Sequence, residues 1–344
     1  MLKELSGKKI LVAPLNWGLG HATRCIPIIE QLLEQRNEVI IGSDGEALKY
    51  LENVFPELTT ILIPGYDFQY PQNGKMMLAV IKQVGKVRAR IKLEHTFVQQ
   101  LQEKECFDII ISDNRYGVYI EGIINIFICH QLALMVPPLM QFMRKRIYTY
   151  HLSFMEPFDE IWIPDNAAPP YLSGGLAHDF PLPEKAHFIG ALTRFSAFSP
   201  SPNERKQPYI AVLLSGLEPL RTLLEEKIAE QASTIDAQFV IIRGKPSDPK
   251  KANTKNIQYE QCLYGQDLFD TLYYADGIIC RSGYSTILDL SVLNKKTAFI
   301  PTPGQTEQEY LAVYHADGKK CITQEQYMLD LEKVMAFFME KYPL

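Results

Sequence analysis

The segment Asn16-Trp17-Gly18-Leu19-Gly20-His21 joins an apolar run to a helical pattern. Gly18 and Gly20 permit φ > 0 and let a ligand approach backbone N–H groups. His21, at the helix start, carries an imidazole that can take a proton from a hydroxyl near neutral pH. A histidine that only caps the turn would look the same. The turn is also an incomplete dinucleotide fingerprint, because Thr23 stands where its third glycine belongs.

Two further segments lie in the C-terminal half. Arg281-Ser282-Gly283-Tyr284-Ser285-Thr286 follows an apolar strand pattern and opens a helix. Unpaired amides and partial positive charge at such a helix start attract phosphate, and Asp289, two turns in, suits a pair of ribose hydroxyls. An ordinary Ser-Gly cap is the plainer alternative. Pro301-Thr302-Pro303-Gly304-Gln305-Thr306-Glu307-Gln308 follows the next strand pattern. Its Gln305, Glu307 and Gln308 suit the hydroxyls of a sugar, or form a solvated loop.

The elements that must hold these segments are legible in the alternation of patterns. Short β-branched runs at 9–13, 38–41, 108–111, 123–129 and 160–163 alternate with helical stretches such as 22–35 and 47–54. Strands without polar interruption are buried on both faces, which with βα alternation predicts a parallel doubly wound sheet. The Pro-, Ser- and charge-rich stretch 198–208 reads as a linker. After it the alternation restarts, with strands at 209–214, 239–242, 277–280 and 298–300. The expected organisation is an N-terminal Rossmann-like domain over 1–198, a linker over 199–208 and a second such domain over 209–323. A C-terminal helix within 324–344 is expected to pack back on the first domain.

The chain of 344 residues has the length of two ordinary domains. With 47% hydrophobic and 22% charged residues it has a globular composition, and its net charge of −5 argues against general nucleic-acid binding. None of the six cysteines has metal-ligand spacing, and most lie in apolar runs, as buried free thiols of a reducing compartment do. No secretory signal precedes the first strand, so a cytoplasmic location is expected. The most apolar stretch, 122–142, contains His130, Gln131 and Pro137-Pro138 and reads as strand, loop and helix start rather than a membrane span.

The run from Tyr264-Gly265-Gln266-Asp267-Leu268 through Tyr274-Ala275-Asp276-Gly277-Ile278-Ile279-Cys280-Arg281-Ser282-Gly283 to Asp289 resembles the C-terminal domain of glycosyltransferase family 28. The resemblance extends to Glu307-Gln308-Glu309-Tyr310-Leu311-Ala312. It is fainter in the N-terminal half, through the turn ending in His21 and Gly190-Ala191-Leu192-Thr193-Arg194. It implies a GT-B fold, two Rossmann-like domains facing each other across a cleft. The nucleotide-sugar donor would lie in the C-terminal domain and the acceptor in the N-terminal one.

By the same resemblance, Gly265 and Leu268 would hold a uracil, and Ser282 and Gly283, with Gly216 and Arg281 nearby, would face the diphosphate. Asp289 would take the ribose, Glu307 and Gln308 the sugar, and Arg194 would neutralise diphosphate charge. His21 would contact the acceptor hydroxyl or the diphosphate. Gly18, Gly20, Asp113, Arg115 and His130 fall on the acceptor side. Neither metal nor cofactor is implied beyond the nucleotide-sugar substrate. Two positions depart from the family pattern. Ser215-Gly216-Leu217-Glu218 replaces a Gly-Gly-Ser type loop and brings a carboxylate toward an anionic ligand, with Arg221 as a compensating charge. Leu311 replaces an asparagine.

Basic residues Lys75, Lys82, Lys86, Arg88, Arg90 and Lys92 occur with no acid among them, and apolar residues at 132–143 precede Arg144-Lys145-Arg146. Apolar surface edged by cations suits an anionic membrane, and an amphipathic core helix with a solvated end gives the same pattern. The leading expectation is an inverting hexosyl- or N-acetylhexosaminyltransferase acting from a UDP-sugar onto a glycan or lipid-linked acceptor of the cell envelope. A nucleotide-sugar 2-epimerase, a non-catalytic nucleotide-sugar-binding subunit and a nicotinamide-dependent oxidoreductase are the alternatives.

Overall fold

The computed structural model describes residues 6–66, 76–136, 138–202, 207–216, 218–245 and 248–340. It divides into two compact units, Met1–Arg194 and Phe195–Leu344. The first contains β1 (Lys9–Pro14), α1 (Gly20–Glu34), β2 (Glu38–Ser43), α2 (Gly45–Val54), β3 (Thr59–Leu62), α3 (Met76–Glu105), β4 (Ile109–Asp113), β5 (Ile124–Ile128), α4 (Arg144–Ser153), β6 (Glu160–Ile163), α5 (Gly175–His178) and β7 (Ala186–Phe188). The second contains β8 (Tyr209–Leu213), α6 (Leu220–Ala232), β9 (Gln238–Ile242), β10 (Ile257–Glu260), α7 (Gly265–Tyr273), β11 (Gly277–Cys280), α8 (Tyr284–Leu290), β12 (Thr297–Phe299), α9 (Thr306–His315), β13 (Cys321–Thr323) and α10 (Leu331–Met339).

Each unit has one parallel sheet, as the alternation predicts. The first has strand order β3-β2-β1-β4-β5-β6-β7 and the second β10-β9-β8-β11-β12-β13. In both, strand order reverses beside the unit's first strand, which opens a crevice at the carboxyl edge where doubly wound folds take ligands. Register fixes what lies there. Pro14 pairs with Asp113 at the ends of β1 and β4, and Leu213 pairs with Cys280 at the ends of β8 and β11. The strands themselves are core: Ile10, Leu11, Val12 and Ala13 are wholly buried, as are Ile278 and Ile279.

Four expectations are corrected. The compact first unit ends at Arg194 rather than at residue 198. The start of the expected linker belongs to the second unit: Gln266 Nε2 donates to the Ser199 carbonyl at 2.8 Å, and the Ser201 amide donates to Asp270 at 3.1 Å. Residues 203–206 of that linker lie outside the described residues. The C-terminal helix α10 also belongs to the second unit, because its wholly buried Leu331 and Val334 complete a core cluster with Leu224 and Ile228 of α6. A β-carbon at Gly277 would lie 2.6 Å from the Phe338 ring, so this close approach of α10 to β11 requires glycine. Finally, Cys106 is exposed, whereas Cys25, Cys129 and Cys280 are buried thiols as expected.

The long helix α3 was not anticipated from its run of basic residues, nor was β3. Both have weak patterns: β3 has no fully buried residue.

Candidate functional sites

In the first unit, His21 lies in the first turn of α1, just after a loop that Gly18 bends with φ +78°. Its side chain is 13% exposed. Below it lies Asp113, the last residue of β4, with no exposed surface. His21 Nδ1 and Asp113 Oδ1 are 2.8 Å apart. Arg24, one turn further along α1, donates to both Asp113 oxygens through Nε and Nη2. Its Nη1 lies 2.7 Å from His130 Nδ1, just beyond β5. The Cys25 thiol donates to Asp113 Oδ2 at 3.6 Å.

The charge states follow from these contacts. Asp113 is desolvated, yet Arg24 and His21 hold its carboxyl far below the ordinary carboxylate range. Such a carboxylate accepts only, so the proton on His21 is on Nδ1 and Nε2 carries the lone pair. Burial lowers the His21 pKa, Asp113 raises it, and Arg24 and His130 lower it; the net shift is downward. His21 is therefore a neutral imidazole near pH 7, oriented by a buried carboxylate: the arrangement of a general base.

Arg115 does not join this group. Its five N–H donors go to Glu94 at 2.7 Å, Asp44 at 2.8 Å and the carbonyls of Pro14, Ile63 and Pro64. The side chain has no exposed surface, so it ties loops at the sheet edge and offers nothing to an acceptor. Gly20 starts α1 beside His21. Arg194 ends the unit and donates to the Tyr50 hydroxyl of α2 at 2.8 Å.

In the second unit, three loops at the carboxyl edge converge on Gln308 of α9. Its Oε1 accepts from the Thr302 amide at 2.9 Å, and its carbonyl accepts from the Ser282 hydroxyl at 2.7 Å. A β-carbon at Gly283 would lie 3.9 Å from Gln308 Nε2, and one at Gly216 would lie 3.6 Å from Thr302 Oγ1. Gly216 has φ +101°. Thus Gly216, Ser282, Gly283 and Gln308 are brought together, with Glu307 half-buried beside them and Asp289 at 3% exposure inside α8.

Two residues of this set are corrected. Arg281 is 1% exposed, and its Nη atoms donate to the carbonyls of Ile300, Pro301 and Leu220 and to Gln326 Oε1. It pins the loops from behind, and burial followed by repulsion from Arg221 brings its pKa down to about 10. Leu268 is 1% exposed and packs into the interior from α7, so its side chain presents no open face for a base. Gly265 does start α7 with φ +48°.

The carboxylate at 218 is neutralised locally. Glu218 accepts from Arg221 Nε at 2.8 Å and lies 2.6 Å from Lys245 Nζ. Against partial desolvation, these cations bring its pKa down to about 2. Leu217, the other departure in this loop, lies outside the described residues.

Residues 215–339 match the model described as glycosyltransferase family 28 C-terminal domain. That match lies within the second unit and covers most of it. The GT-B fold is shown by solved structures across nearly the whole chain. A calicheamicin glycosyltransferase superposes with TM-score 0.65 over 98% of this chain and 91% of its own, at 12% identity. The MurG structure of Acinetobacter baumannii gives TM-score 0.55 over 97% and 91%, at 13% identity. An uncharacterized glycosyltransferase of Methanosarcina mazei is 23% identical over 319 residues, 88% of this chain and 81% of that protein. A Histophilus somni protein named as a UDP-N-acetylglucosamine–N-acetylmuramyl-(pentapeptide) pyrophosphoryl-undecaprenol N-acetylglucosamine transferase is 27% identical over 163 residues, covering 43% and 46%. The chain is thus a glycosyltransferase of GT-B type.

Sequence reasoning missed Arg24 in this glycosyltransferase. The signal was available: Arg24 follows His21 by three residues, one turn along the same helix face, on an otherwise apolar stretch. Among the described residues no helix is long and apolar enough to cross a membrane.

Proposed function

We propose that this glycosyltransferase moves a hexosyl or N-acetylhexosaminyl group, with inversion, from a uridine diphosphate sugar to a hydroxyl of a glycan or lipid-linked acceptor. The observation that carries the reading is the His21–Asp113 pair at the switch point of the first sheet, in a chain whose residues 215–339 match the glycosyltransferase family 28 C-terminal domain. His21 Nε2 takes the acceptor proton as the oxygen attacks the anomeric carbon from the face opposite the diphosphate. The C–O bond to the diphosphate breaks and the nucleoside diphosphate leaves. Asp113 holds the ring and stabilises the imidazolium that forms. In the second unit, Gly216 and Gly283 give the diphosphate access to backbone amides. Asp289 takes the ribose and Gln308, with Glu307, the sugar. No cofactor or metal is required in this scheme.

Peripheral contact with an anionic membrane, at the inner face of the cell membrane, is part of the same proposal. Phe142 is 82% exposed and Tyr150 44% exposed, beside exposed Lys145 and Arg146. Arg88 of α3 lies over the Tyr150 ring at 5.6 Å, so cations of both helices edge this apolar surface. The basic run extends to Lys75 and Lys82, whose side chains lie outside those described.

The deciding experiment is calorimetric binding of UDP, dTDP, GDP and NAD, followed by slow hydrolysis of the corresponding sugars with the product anomer read by NMR. Tightest binding of UDP and release of the inverted anomer are expected. Preference for GDP overturns the donor, and retention overturns the mechanism.

A further inference from the structure

We propose that Arg24 is a positioning residue that anchors the Asp113 carboxylate against His21 Nδ1 and fixes His130 in the opposite tautomer, so that Nε2 carries a lone pair on His21 and an N–H on His130. The inference deepens the reading of His21 as the base and rests on it. Its geometric part stands without any substrate.

Arg24 is 3% exposed and reaches three groups from one planar fork. Nε and Nη2 engage the two oxygens of Asp113. Nη1 is 2.7 Å from His130 Nδ1. A guanidinium donates and never accepts, so His130 Nδ1 must be the unprotonated nitrogen and the ring proton goes to Nε2. Asp113 works in the other direction. As an ionised carboxylate it accepts only, so His21 Nδ1 at 2.8 Å must carry its proton.

Arg24 Nη2 also lies 2.9 Å from His21 Nδ1. If that nitrogen accepted from Arg24, its lone pair would turn toward the Asp113 anion at 2.8 Å as well. With the proton on Nδ1, both donors instead share one carboxylate oxygen, and the attractive arrangement is kept. The two rings come from different elements, α1 and the segment after β5. Arg24 and the carboxylate it anchors therefore set together which ring takes a proton and which gives a hydrogen bond. Lysine preserves the charge but has no planar fork to hold the three directions at once.

The test uses the full chain labelled with ¹⁵N-histidine, with long-range imidazole spectra recorded at pH 8. Seven histidines are present, and His21→Gln and His130→Gln identify the two signals. The expected wild-type pattern is Nδ1–H for His21 and Nε2–H for His130; the same tautomer in both rings overturns the proposal. In Arg24→Lys, the His130 signal is expected to move to the averaged position of exchanging tautomers. Turnover should fall at least tenfold, with donor KM changed less than threefold. An unchanged Arg24→Lys spectrum with full turnover also overturns it. Should Arg24→Lys fail to fold, the wild-type spectrum decides alone. Failure of the base assignment is separate: it would appear as full turnover in His21→Ala while the wild-type spectrum shows both tautomers as stated.

Discussion

His21 Nδ1 lies 2.8 Å from Oδ1 of Asp113, a residue 92 positions away that has no exposed surface. The register of β1 against β4 makes the pair. It places the end of β4 beneath the loop that β1 feeds into α1, so a carboxylate on one strand meets an imidazole on the next helix.

His21→Ala is expected to lower turnover by about 10²–10⁴-fold, the range for a positioned general base. The Kd for nucleoside diphosphate, which the proposed function assigns to the other unit, should change less than threefold. Calorimetry beside donor-hydrolysis rates reads both. An equal loss in the two measurements would make His21 a phosphate contact.

The pH dependence has a definite sign. Burial, then Arg24 and His130, outweigh Asp113 and hold the folded His21 pKa below the ordinary 6.5. Base activity is therefore retained below pH 6.5 and lost only as pH falls through the lowered value. Stability follows the same direction. Between the two pKa values the unfolded chain binds the extra proton, so the contribution is full above 6.5 and declines below it. An acid limb of kcat/KM centred above 6.5 would contradict this.

Asp113→Asn should lower turnover by at least about 10²-fold, because an amide can donate to His21 Nδ1 and turn the ring to the wrong tautomer. It should also destabilise the fold by about 3–5 kcal/mol, since Arg24 is left as an uncompensated buried charge. Chemical denaturation and turnover are measured on the same sample. Wild-type stability in this variant would show that the Arg24–Asp113 pair is not the buried ion pair described.

Arg115→Met separates structure from binding. Removing a side chain that satisfies Glu94, Asp44 and three carbonyls should cost about 3–5 kcal/mol of stability. Material that does fold should keep its KM for acceptor within threefold. A large KM rise with normal stability would restore Arg115 as an acceptor ligand.

Asp289→Asn should weaken nucleoside diphosphate binding by about 1.5–3 kcal/mol, roughly 10–100-fold, since a neutral amide accepts ribose hydroxyls less strongly than a carboxylate. The corresponding 2′,3′-dideoxynucleotide should then bind wild type and variant alike. Discrimination between wild type and variant by the dideoxynucleotide would place the effect elsewhere.

By itself the sequence determined the two α/β units and the loops that follow their strands. Apolar runs without polar interruption state that strands are buried on both faces, and the Gly and Ser-Gly segments after strands state where the backbone opens to a ligand. These are local properties, encoded within a few residues of where they act. The tertiary structure decided which polar side chains meet. Arg115 and Arg281 read as ligand-binding cations in sequence, yet both are buried and have carbonyl partners from loops far along the chain. Arg24 passed as a helix residue until Asp113 and His130 were brought to it by sheet register. The C-terminal helix showed its apolar stripe in sequence but not its partner, which the bare backbone at Gly277 supplied. A long side chain's role depends on what surrounds its terminal atoms. Strand pairing across some hundred residues sets those surroundings, and no local period in the sequence records it.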